Sequence, residues 1–62
     1  MNSRDIIAKL EANGWTYHST TGSHRHYKHP SKPGKVTVPY PRHDIPIGTI
    51  KSIEKQSGVK LR

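Results

Sequence analysis

Along the first thirteen residues, Ile6, Ile7 and Leu10 recur at helical spacing among polar side chains, which predicts an amphipathic helix over residues 1–13. Ser3 is its N-cap candidate, Asp5 sits in the first turn where the helix dipole favours a negative charge, and Asn13-Gly14 ends it. At Trp15 the period drops to two. Trp15, Tyr17 and Ser19 alternate with Thr16, His18 and Thr20, which predicts a strand over residues 15–20. Thr21-Gly22-Ser23 reads as a short turn, so residues 24–29 form the antiparallel return strand, followed by the loop Pro30-Ser31-Lys32-Pro33-Gly34.

Lys35 to Val38 predicts a third strand. Pro39-Tyr40-Pro41-Arg42-His43-Asp44 is a crossing loop, because its prolines remove backbone donors. Pro46 then opens a second helix with Ile47, Ile50 and Ile53 on one stripe and Gly58 as its terminator. The order is helix, strand, strand, strand, helix: one α+β domain over residues 1–62, its two helices covering one face of a three-stranded antiparallel sheet and leaving the other face open. Within the return strand, Tyr27 shares a face with Arg25 and His29, while His24, His26 and Lys28 share the opposite one. With Tyr27 turned toward the helices, His24 and His26 point to the open face.

Composition narrows what such a domain can be. The chain has 62 residues, 29% of them hydrophobic, with no phenylalanine and no cysteine. The core must therefore rest on a few anchors: Trp15, Tyr17, Val36, Val38 and the isoleucines, without disulfides. Eleven Lys and Arg against four Asp and Glu give a net charge of +7, the pattern of a protein whose partner is a polyanion, nucleic acid foremost, or an acidic protein. The longest apolar stretch is too short to span a bilayer and the N-terminus lacks a signal-peptide core, so the expected location is the cytoplasm, away from membranes.

The run Gly22-Ser23-His24-Arg25-His26-Tyr27-Lys28-His29 concentrates the candidate chemistry. RNA carries its own nucleophile, the ribose 2′-hydroxyl beside each phosphate, and its cleavage needs only a positioned base and nearby cations. Histidine suits that proton transfer near neutral pH. His24 and His26, both turned to the open face, are the histidines that an RNA could reach. Arg25, Lys28 and Lys35 are candidate phosphate ligands, His26 a candidate assistant on the same face, and Gly22 and Ser23 offer close backbone approach and a hydroxyl donor. Without cysteine or clustered carboxylates, and with His29 on the other face from His24 and His26, neither a zinc site nor a two-metal nuclease is indicated, and no cofactor is expected. Trp15 reads as core. Tyr40 could close the core or offer its ring to a base, and Lys51 and Lys55 could be solvated or touch phosphate. A non-catalytic RNA-binding module, with His24 incidental, is the alternative reading.

Taken in order, these pieces resemble the HicA toxins, the mRNA interferases of HicA–HicB toxin–antitoxin pairs. The resemblance rests on Asn13-Gly14-Trp15, Gly22-Ser23-His24 with Tyr27 and His29-Pro30, Val36-Thr37-Val38-Pro39 and Pro41. It continues through Asp44-Ile45-Pro46-Ile47-Gly48-Thr49 to Ile53, Lys55-Gln56-Ser57-Gly58. It implies a fold like a double-stranded-RNA-binding domain, cleavage of mRNA by a single histidine, which by motif position is His24, and a HicB antitoxin that binds the toxin and blocks that histidine. Arg42 and His43 stand where the family often has lysines.

Overall fold

The computed structural model describes residues 1–62. Its elements follow the expected order: α1 (Ser3–Ala12), β1 (Thr16–Thr21), β2 (His24–Lys28), β3 (Lys35–Pro39) and α2 (Ile47–Ser57). The strands form one antiparallel sheet in the order β1-β2-β3, and both helices pack against β3.

The first helix starts differently from the sequence reading. Asn2, not Ser3, is its N-cap, its Oδ1 accepting the backbone N–H of Asp5 at 2.9 Å. Ser3 is buried and ties the helix to the crossing loop. Its hydroxyl donates to the carbonyl of Arg42 at 2.9 Å and accepts the Arg42 N–H at 2.7 Å, and its own N–H donates to the same carbonyl. A buried hydroxyl with two partners is well satisfied. The loop it holds contains a cis Tyr40–Pro41 bond.

The core joins Ile6, Ile7 and Leu10 of α1, Trp15, Tyr27 of β2, Val36 and Val38 of β3, Ile45 just ahead of α2, Ile50 and Ile53 within α2, and the tail residues Val59 and Leu61. Burying a side chain as large as Trp15 or Tyr27 contributes roughly 1.5–3 kcal/mol. The Trp15 indole N–H is buried without a hydrogen-bond partner. Two expected core residues lie outside. Tyr17 is 53% exposed and Ile47 55%. Ile47 is the first residue of α2, and the isoleucine buried at this end of the helix is Ile45, two residues earlier.

Tyr17 is exposed because helices that lean on β3 leave β1 uncovered. The alternation read along β1 also fails at its middle. Tyr17 pairs with Tyr27, but Ser19 pairs with His26, so His18 is an extra residue at a β-bulge. Beyond the bulge the faces exchange, and Thr20 opposes Arg25 while Thr21 opposes His24. α2 ends as expected at Gly58, left-handed with φ 71°. Two side chains finish that end: the Lys32 ammonium donates to the carbonyl of Ser57 at 3.1 Å, and the Ser57 hydroxyl accepts the N–H of Val59.

Candidate active site on the open sheet face

His24, His26 and Lys28 alternate along the central strand on the face away from the core, opposite Tyr27. Their cross-strand partners share that face: Thr21 beside His24, Thr37 beside His26, Lys35 beside Lys28. No Asp or Glu occurs between residues 16 and 39, the acids being Asp5, Glu11, Asp44 and Glu54. Two lysines directly opposite one another with no acid between them are a local cost, since like charges at such positions destabilise a sheet. The arrangement makes chemical sense when an anion sits between them.

The hairpin that delivers His24 is a two-residue turn, Gly22-Ser23, joining the paired residues Thr21 and His24. Gly22 has φ 58° and Ser23 is not left-handed, the pattern of a type II′ turn, which favours Gly in its first central position. The space where a Gly22 side chain would stand is open, so backbone conformation rather than crowding accounts for the glycine. The carbonyl of Ser23 accepts the N–H of Tyr40 at 2.7 Å, which anchors the turn to the end of β3. His24 itself is exposed, free of the hydroxyl partners that hold its neighbour.

That neighbour is fixed. Nδ1 of His26 meets the Thr37 hydroxyl at 3.0 Å and Nε2 meets the Thr21 hydroxyl at 3.2 Å. Partial burial, then the charges of Lys35, His24 and His18, hold the His26 imidazole below its ordinary pKa of 6.5. In the neutral ring one of these nitrogens donates and the other accepts. His18 reaches this neighbourhood through the bulge, which sets two residues of β1 against one of β2. Sequence alternation alone misses it. Thr37, flanked by the core residues Val36 and Val38, was detectable from that same alternation.

The other candidate residues separate. Gly22, Ser23, His24, His26, Lys28 and Lys35 gather at the turn and on the open face. Arg25 lies on the helix side, its guanidinium 3.7 Å over the ring of Tyr40. His29 is a structural residue. Its Nδ1 accepts the N–H of Ser31 at 3.1 Å, so in the neutral ring Nε2 carries the proton and donates to the Asn13 carbonyl at 3.0 Å. The ring also stands edge-on to Trp15, with centroids 5.2 Å apart. Arg42 and His43 line a cleft of about 450 Å³ with Asn2, Ser3, Arg4, Tyr40 and Pro41. No three His, Cys, Asp or Glu side chains are grouped so as to hold a metal ion, and no helix is long and apolar enough to cross a membrane.

The elements form a small basic α+β domain on a helix-strand-strand-strand-helix frame, with a histidine and lysine face free of carboxylates. The family model for the HicA toxin of bacterial toxin–antitoxin systems matches residues 3–59, and the chain belongs to that family. Its fold is similar to that of a chain in the solved HicA3 and HicB3 toxin–antitoxin complex, with a TM-score of 0.84 and 35% identity over 100% of both chains. No curated protein matches the chain.

Proposed function

We propose that this toxin is a cytoplasmic, metal-independent endoribonuclease that cleaves mRNA and is held in check by a HicB-type antitoxin. One observation carries the reading: an exposed, unpartnered His24 shares a carboxylate-free face with the opposed lysines Lys28 and Lys35. In this mechanism Lys28 and Lys35 hold the phosphate and offset charge growing on its non-bridging oxygens. His24 moves the proton, as base toward the ribose 2′-hydroxyl or as acid toward the leaving oxygen. The Ser23 hydroxyl and the Gly22 backbone border the phosphate at the turn. His26, gripped by two hydroxyls, orients Thr21 and Thr37 beside the reacting group. Arg25 serves the substrate from the other side of the hairpin. The antitoxin partner is supported by family membership and by the complex in which the similar chain was solved.

The test pairs the protein with its His24→Ala variant on an RNA and on its all-DNA counterpart, with and without EDTA. The proposal expects RNA cleavage that survives chelation, spares DNA and falls about a hundredfold or more in the variant, together with growth arrest on induction of the parent alone. Cleavage abolished by EDTA would refute metal independence. RNA binding with no cleavage by either protein would mark a binding module.

A further inference from the structure

We propose that Tyr17, Arg25 and Tyr40 form a stacking subsite for a nucleobase of single-stranded RNA, across the hairpin end from His24. This inference rests on the ribonuclease reading and deepens it. Tyr17 is one of two large apolar side chains exposed in the whole domain, yet it is not loose. Its hydroxyl is bonded to that of Thr20 at 2.7 Å, and its ring stands edge-on to the buried Tyr27 with centroids 6.0 Å apart. The Arg25 guanidinium lies 5.7 Å from its centroid. An aromatic ring that is both open to solvent and held in place has already lost the freedom that stacking would cost it.

Arg25 adds the second part. It is half-buried, stacked 3.7 Å over Tyr40, and belongs to neither ion pair of the molecule, which join the N-terminus to Asp44 and Arg62 to Glu54. A planar guanidinium held against Tyr40, with the Tyr17 ring 5.7 Å away, is a charged flat surface of the kind on which bases stack and phosphates are held. Position links this platform to the candidate catalyst. Arg25 follows His24 in the chain on the opposite face of the strand, and Tyr40 is bonded through its N–H to Ser23. A strand of RNA crossing the Gly22-Ser23 turn would set a phosphate against His24 and an adjacent base against Tyr17 and Arg25. A polyanion fits better than a protein here, because the platform carries an arginine and no acid on a chain of charge +7.

The experiment measures anisotropy of a short labelled single-stranded RNA, and of an abasic RNA of equal length and charge, on the His24→Ala protein to prevent cleavage. The subsite requires the base-bearing strand to bind about tenfold tighter than the abasic one. Adding Tyr17→Leu, or Arg25→Lys, should erase that difference while the salt dependence stays, and Tyr17→Phe should preserve it. Emission from the single buried tryptophan, Trp15, verifies folding of each variant. A Tyr17→Leu protein that keeps the base preference overturns the subsite and leaves the ribonuclease reading standing if the parent sequence cleaves RNA. A parent that neither binds nor cleaves RNA defeats both. Unchanged RNA binding with weakened capture of a HicB partner would assign the platform to protein recognition and also overturn the proposal.

Discussion

The Cβ that Gly14 lacks would fall 2.7 Å from Nε2 of His29. That is the nitrogen bonded to the Asn13 carbonyl, so the end of α1 and the segment after β2 close on each other with no room for a methyl group. Gly14 also has φ 92°, a conformation side chains rarely adopt. The end of α1, Trp15 and His29 form one latch, although Gly14 and His29 stand far apart in the sequence.

Gly14→Ala should therefore cost about 1–3 kcal/mol in strain before any clash, and His29→Ala about 1–3 kcal/mol from lost hydrogen bonds. His24→Ala, at an exposed unpartnered position, should stay within about 0.5 kcal/mol of the parent. Urea titrations followed by Trp15 fluorescence compare the three. A strongly destabilised His24→Ala protein would contradict the separation of structural from chemical histidines.

His26 makes a pH prediction. Its pKa in the folded protein lies below 6.5, through burial first and then the positive neighbours Lys35, His24 and His18. Between that lowered value and 6.5 the unfolded chain binds more protons than the folded one, so stability rises with pH across the window. This contribution is complete above 6.5 and disappears as pH falls to the folded value. The His26 ring resonances should titrate below 6.5, and Lys35→Met should move that midpoint upward by removing one of the charges. A midpoint unmoved by Lys35→Met would strike Lys35 from the causes and leave burial with His24 and His18.

Glu54 governs the other end of the molecule. Its carboxylate accepts the N–H of Leu61 at 2.9 Å and pairs with the guanidinium of Arg62 at 3.1 Å. These partners, the Leu61 N–H foremost, hold its pKa below 4.5 against the opposing effect of burial. A lowered carboxylate stabilises the fold above the unfolded value, and the contribution is lost as pH falls through the folded one. Thermal melts of Glu54→Gln should show a lower Tm than the parent at neutral pH, the gap closing in acid. Equal Tm values at pH 7 would mean that the buried Val59 and Leu61 hold the tail without it.

Element order, the closing glycine of α2 and the two faces of β2 were all legible, because each rests on a local signal: a period, a left-handed cap, an alternation anchored by Tyr27. The exceptions are non-local. Ser3 has the chemistry of an N-cap, but its hydroxyl is claimed by Arg42, 39 residues away. Tyr17 has the size of a core residue and sits on the core side, yet the helices that would cover it lean on β3. The bulge at His18 carries neither glycine nor proline, so the exchange of faces that brings Thr21 beside His24 had no mark in the sequence. For the candidate site, the open-face cluster of His24, His26, Lys28 and Lys35 was readable from alternation on β2 and β3. The aromatic platform was not, because it depends on which strand the helices leave bare.

The bulge in β1 has a consequence for how copies of this protein treat one another. A three-stranded sheet has two outer strands whose backbone groups are unpaired on one side, and a flat outer strand invites the same strand of another molecule to add on. Here one border is kinked at His18. The other begins with Lys35 and ends at Pro39, which has no N–H to offer. Neither border is a straight template onto which the same strand of a second copy could add.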